Sequence, residues 1–196
     1  MLDKEVLGVI SVVLAIIAYA PYFRSLFKRE IKPHMFSWFV WGTCHAVAFI
    51  GPYTRGAGAG TWSSAFTSII CLSIAGLSFF WGERHITKGD WISFIMAMAI
   101  IPVWYLTNDP LGAVILALLI SYFGCYPTAR KSYAAPYSEN IFMWIVGALR
   151  YFVSIFAIEH YSVVAVFYTL GMFFMNCFII SLLVLRRRVL PKLASS

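Results

Sequence analysis

A single arginine, Arg150, stands inside the apolar stretch IFMWIVGALRYFVSIFA, with no acidic residue three or four positions to either side. Its planar guanidinium can grip a carboxylate, phosphate or carbonyl through two parallel hydrogen bonds. In the middle of a membrane helix such a charge costs about 2.5–3.5 kcal/mol to insert. Two roles compete for it: a clamp for a polar solute, or a cation that braces helices or snorkels to the outer interface. His45 lies halfway along another apolar run. There it suits a hydrogen bond to a solute, proton carriage, or a bond between helices. Asn176 and Tyr168 are eight residues apart, two helical turns, and so share one face. An amide in hydrocarbon needs a partner. Trp41 offers a stacking platform, while Trp38 and Trp144 suit interfacial anchors or an aromatic gate.

The stretch around these residues occurs twice. An ungapped shift of 106 residues places His45 on Tyr151. The same shift pairs Pro21 with Pro127, Arg24 with Arg130, Phe36 with Phe142, Trp38 with Trp144, Val40 with Val146 and Val47 with Val153. Six identities over positions 21–47 exceed the roughly two that chance gives in so apolar a chain. Each copy runs from an apolar segment through Pro and a short basic loop into a second apolar segment. Helices at equal depth around a common axis follow, with His45 and Tyr151 flanking it.

Composition says what kind of body carries the repeat. Of the 196 residues 61% are hydrophobic and 12% charged, and the mean hydropathy is +0.82. A soluble domain carries about 25% charge. Seven runs approach the roughly 20 residues that cross a bilayer core, at about 6–23, 34–52, 62–82, 91–107, 111–127, 138–158 and 161–185. The first lacks a small-residue cleavage site and is expected to remain as a helix. Pro33-His34, Ser138-Glu139, Asp90 and Asn108-Asp109-Pro110 are expected helix starts, and Gly56–Gly60 a flexible hinge. The net charge of +7 is topological, not a nucleic-acid patch. Lys4 and Arg55 fall on one side, against twelve basic residues on the other, which places the N terminus outside and the basic tail 186–196 in the cytoplasm.

Three helices, a linker helix at about 91–107, and three more put both triplets in one orientation. That is a parallel repeat about an axis along the membrane normal (repeat one about 6–82, repeat two about 111–185), with a site expected near mid-depth. The expected fold is therefore an all-α membrane protein, seven transmembrane helices in two parallel three-helix bundles joined by a linker. Cys44, Cys71, Cys125 and Cys177 show no paired spacing, and no catalytic triad, metal set or nucleotide loop is present. Neither an enzyme nor a cofactor is indicated.

On this architecture, with a proline late in the first helix of each triplet and a basic loop after it, the chain resembles the SWEET and PQ-loop transporter superfamily. The resemblance implies a transporter in the bilayer that moves a small-molecule substrate by alternating access and that can form a homo-oligomer. It implies Pro21 and Pro127 as gating hinges, against simple helix termination; the physical basis for a hinge is the carbonyl that an internal Pro frees. The chain departs from the family in having Pro21-Tyr22 and Pro127-Thr128 in place of Pro-Gln. Sugar-carrying relatives have Asn on the third helix of both triplets; here Asn176 faces Ile70. No run has an internal Asp or Glu, which favours a facilitator over a proton-coupled pump. Trp38-Phe-Val-Trp41 also resembles the paired tryptophans of nicotinamide-riboside carriers, and KDEL-type receptors share the bundle.

Overall fold

The computed structural model describes residues 3–30, 33–82, 88–134, 136–138 and 140–190. Among them the chain is wholly helical. The α-helices are α1 (Lys4–Phe27), α2 (Met35–Tyr53), α3 (Trp62–Trp81), α4 (Lys88–Thr107), α5 (Pro110–Ala134), α6 (Ile141–Ala157) and α7 (Val163–Val189). Two 3-10 turns, Gly58–Thr61 and Pro136–Ser138, complete the described elements. Three helices are long and apolar enough to cross a membrane: Lys4–Phe27, Gly58–Trp81 and Val163–Val189. Phe94–Thr107, Pro110–Cys125 and Ile141–Ala157 are shorter apolar helices.

Local chemistry explains most helix ends. Asp3 caps α1 by accepting from the Glu5 amide at 3.1 Å. Asp109 caps α5 by accepting from Leu111 at 3.0 Å, and Pro110 fills the first turn as expected. Asn140, not Ser138, starts α6, accepting from Phe142 at 3.0 Å. Asp90 lies inside the first turn of α4, because that helix begins at Lys88. Glu139 is outside the described residues.

Neither repeat proline ends its helix. α1 continues past Pro21 to Phe27, and α5 past Pro127 to Ala134. The terminator alternative therefore falls, and each proline withdraws one donor from a continuing helix. Arg186, Arg187 and Arg188 are not a tail either: they form the last turn of α7, where cations suit the helix dipole. Arg186 and Arg187 donate through Nε to the carbonyls of Tyr133 and Pro136, at 2.8 and 3.0 Å.

The helices close a ring. α3 packs against both α1 and α2, and α7 packs against both α5 and α6. α1 meets α6 and α2 meets α5, giving the order α1–α3–α2–α5–α7–α6. α4 stands outside the ring against α2 and α5. Exchanging α1, α2, α3 for α5, α6, α7 maps each of these ring contacts onto another.

Small residues and hydroxyls allow the close packing inside the ring. Ser11, Thr43, Ser63, Thr67, Ser68, Ser121 and Ser154 are all buried. Most spend their hydroxyl on the preceding turn of their own helix, while Ser68 crosses to the Gly42 carbonyl at 2.8 Å. Large apolar side chains point outward instead, including Phe80 at 70% and Leu106 at 81% exposure. An outer surface of this kind suits hydrocarbon.

One end of the ring is sealed. Gly56–Thr61 is not a flexible hinge; Ala57 and Ala59 are buried, Ala57 packing with Ile158 and Ala165 and Ala59 lying against Gly8 of α1. The loop is clasped by the α6–α7 connection: Glu159 N–H donates to Ala57 O and His160 N–H to Gly56 O, each at 3.1 Å. The Glu159 carboxylate accepts from the Ala59 amide at 3.0 Å. Lys4 adds a bond to the Phe156 carbonyl at 2.7 Å. Gly58 has φ +54° and lies against the Glu159 carboxylate with no room for a methyl. Gly58→Ala should therefore lower stability by more than about 1 kcal/mol. Thermal unfolding of purified protein checks this; an unchanged melting temperature would refute the clasp.

Candidate functional site

The ring encloses a cavity of about 550 Å³. Every ring helix contributes to its wall: Tyr19 and Tyr22 from α1, Trp38, Trp41 and His45 from α2, Cys71 from α3, Ser121 and Cys125 from α5, Trp144, Gly147, Arg150 and Tyr151 from α6, Met172, Met175 and Asn176 from α7. Pro33, His34, Thr128 and Met143 line it too, so it reaches the end bearing the α1–α2 loop. From Met143 to Arg150 is about 10 Å along α6. The opposite end is the sealed one.

Arg150 is 4% exposed and lies at the deep end. Its Nη1 donates to Thr67 Oγ1 on α3, and the Thr67 hydroxyl in turn donates to Ser63 O at 2.7 Å. The guanidinium lies over the Tyr151 ring, 4.2 Å from its centroid. Its Nε is buried without a hydrogen-bond partner. Among the described residues the single ion pair is Lys28–Glu30, at the surface. Arg150 is thus a buried cation held by neutral groups.

His45 and Tyr151 do more than flank an axis: they meet, His45 Nε2 lying 3.0 Å from the Tyr151 hydroxyl. His45 Nδ1 lies 3.1 Å from both the Trp41 carbonyl and the Tyr168 hydroxyl. The carbonyl can only accept, so the ring proton belongs on Nδ1, and the Tyr151 O–H donates to Nε2. Tyr168 then donates to Ser121 Oγ at 3.4 Å, and Ser121 to Ala117 O at 2.8 Å. The pattern leaves every group in the chain satisfied. It also joins α2 to α6 and α7, so the histidine is built as a bond between halves.

The remaining expected residues divide. Trp38, Trp41, Trp144 and Asn176 all face the cavity, and Trp38 and Trp144 are each the fourth residue of their helix. Trp38 and Trp41 stand edge to face, centroids 5.4 Å apart at 87°, and Tyr22 packs on Trp38 at 4.7 Å. Asn176 donates to Met172 O at 2.8 Å, and a Cβ on Gly147 would come within 2.5 Å of its Oδ1. Tyr168 is buried behind His45 and does not line the cavity. Pro21 is exposed on α1, outside the wall; the side chain of Pro127 lies outside the described residues.

Thr67, Tyr19 and Gly147 were not singled out by their types. For Thr67 the signal is a helical stripe, since Ser63, Thr67, Cys71, Ile74 and Ser78 all lie on the buried face of α3; Tyr19 follows the small-residue stripe Gly8, Ser11, Ala15 and Ala18 of α1, and Gly147 lies between the wall residues Trp144 and Arg150 of α6. The four cysteines are free, and no cluster of metal-ligating side chains occurs among the described residues.

If the His45–Tyr151 bond joins the halves, His45→Leu and Tyr151→Phe should couple by about 0.5–3 kcal/mol in a double-mutant cycle of unfolding free energies. Additive effects would mean the bond contributes nothing. Across known proteins, the chain matches no family model, no curated protein and no solved structure.

Proposed function

We propose that this chain is a seven-span membrane transporter for a small polar solute. It works by alternating access between two pseudo-symmetric bundles, α1–α3 and α5–α7, with α4 as the linker. Its N terminus lies outside and its Arg-rich end in the cytoplasm. The carrying observation is the cavity within the ring, closed at one end by the Glu159 clasp and reaching the other at Pro33 and His34. A passage blocked on one side only is what alternating access requires of a carrier in either of its open states. Support comes also from the charge bias, which puts the sealed end outside. With no carboxylate beyond the first turn of any described ring helix to carry a proton, facilitated flux is the mode.

In this scheme Arg150 clamps the solute's negative or carbonyl oxygen. Pro21 and Pro127 supply the compliance by which the first helix of each bundle bends. Trp38 and Trp144 narrow the inner mouth. A second reading, a nucleoside-vitamin carrier, draws support from Trp38 and Trp41 standing together on the wall, where a flat base could stack.

Reconstituted protein should show saturable solute flux, and cysteines placed at His34 and Asp3 should label from opposite membrane faces. Arg150→Met should abolish flux while stability holds or rises, because no buried carboxylate among the described residues is left stranded. Arg150→Lys should keep the charge, lose the fork and transport weakly. Wild-type flux in Arg150→Met would remove the clamp. Labelling of both cysteines from one face would remove the topology, and competition by a nucleoside vitamin would decide for the second reading.

A further inference from the structure

The cavity wall carries one charge and very little spare hydrogen bonding. His45 uses both ring nitrogens on protein groups, Ser121 donates to its own helix, and Asn176 spends one of its two amide hydrogens on Met172. His34 and Ser37, at the mouth, lie 3.2 Å from each other and can bond. What remains for a solute at depth is the Arg150 guanidinium and the Asn176 carbonyl oxygen and second amide hydrogen, with the Tyr19 and Tyr22 hydroxyls on the α1 side of the wall. A polyhydroxylated solute would lose its water here and find few replacements. A lone cation balances a single negative charge, so a phosphate dianion would leave one charge uncompensated.

The rest of the wall is aromatic and sulfur-rich. On α6, Trp144, Gly147 and Arg150 recur every three residues, one stripe running from mouth to depth. The rise from Trp144 to Arg150 is about 9 Å, the length of a bicyclic ring bearing a short acid arm. Gly147, midway, leaves open the space that a side chain would take from Asn176. Trp41 and Trp38 supply ring faces and edges from α2, and Met172 and Met175 supply polarizable sulfur from α7.

We propose that the solute is a planar aromatic monocarboxylate. Its carboxylate sits on Arg150, its ring passes over Gly147 among the tryptophans, and a ring N–H or hydroxyl can donate to Asn176 Oδ1. The proposal rests on the cavity being the solute path, and deepens that reading by naming the chemical class.

Four probes separate the contributions on purified full-length protein in nanodiscs, followed by tryptophan fluorescence and thermal shift. Indole-3-acetate should bind saturably and raise the melting temperature. Indole-3-acetamide, which lacks the charge, and cyclohexylacetate, which lacks the flat ring, should each bind at least about tenfold more weakly. Glucose should not bind. Arg150→Met should weaken indole-3-acetate about 100-fold or more and erase its preference over the amide. Should that variant fail to fold, Trp144→Leu carries the test: it should cost indole-3-acetate more affinity than cyclohexylacetate.

Equal binding of indole-3-acetate and cyclohexylacetate, or of acid and amide, overturns the proposal. So does binding of glucose without the ring acid. The transporter reading fails separately: ring acids that bind but never cross a proteoliposome leave the ligand class standing and remove the carrier. Saturable glucose flux with no ring-acid binding does the reverse.

Discussion

One guanidinium in the middle of a helical ring sets the terms for everything around it. Arg150 must be kept in an apolar interior without a described counter-charge, and neutral groups do the work: the Thr67 hydroxyl beneath it and the Tyr151 ring against its face. Each of these is positioned in turn. Thr67 is oriented by the Ser63 carbonyl on its own helix, and Tyr151 by His45 across the interface. The histidine reaches on to Tyr168 and Ser121. A charge on α6 therefore organises polar residues on α2, α3, α5 and α7. Residues that sequence alone presents as separate candidates form one network, in which Arg150 meets the cavity and Tyr168 holds it from behind.

On the carrier reading, the same network gives a reason for the two ends of the ring to act together. At the sealed end, three hydrogen bonds clasp the Gly56–Thr61 loop onto Glu159 and His160, and Lys4 ties α1 to α6. Opening there means exchanging these bonds for water, a change of modest net cost because exposed partners are resolvated. At mid-depth, Arg150–Thr67 and His45–Tyr151 span the same two halves but are buried, so breaking them is more costly. On the carrier reading the halves pivot about these bonds, with the ends exchanging openness while the centre stays joined. A solute anion on Arg150 then touches the pivot itself.

Much of this was legible because it depends on periodicity and residue type. The 106-residue offset pointed to His45 and Tyr151 at equal depth, and the two touch. Apolar runs located all seven helices, though several boundaries moved by a few residues because helix ends depend on caps. Asn140 was invisible beside Ser138 until its φ and its bond to Phe142 were known. The misreading of Gly56–Gly60 has a clear cause. Glycine supplies both flexibility and close approach, and composition does not tell them apart; burial against Ile158 and the Glu159 carboxylate decides it. Thr67 was hidden because a threonine that holds an arginine resembles any other that bonds its own helix. Tyr168, expected on one face with Asn176, is buried behind His45 instead and does not line the cavity.

The repeat leaves a last constraint, on where its symmetry has to fail. The positions that agree between the halves are the prolines, the loop arginine, a Phe, two valines and the wall tryptophans Trp38 and Trp144. Deeper positions, at and around Arg150, differ. Arg150 is matched by Cys44, Tyr151 by His45, Asn176 by Ile70 and Phe173 by Thr67. Two arginines related by an axis through the cavity would face each other in a medium where like charges repel strongly. One half can carry the cation only if the other supplies something neutral, and Cys44 is small, uncharged and fully buried. The partner of the second substitution is forced by the first: a ring is needed under the guanidinium, and its hydroxyl needs an acceptor, which the histidine at the equivalent position provides. Asymmetry at Arg150/Cys44 and Tyr151/His45 thus follows from placing a single charge in one of two repeated segments.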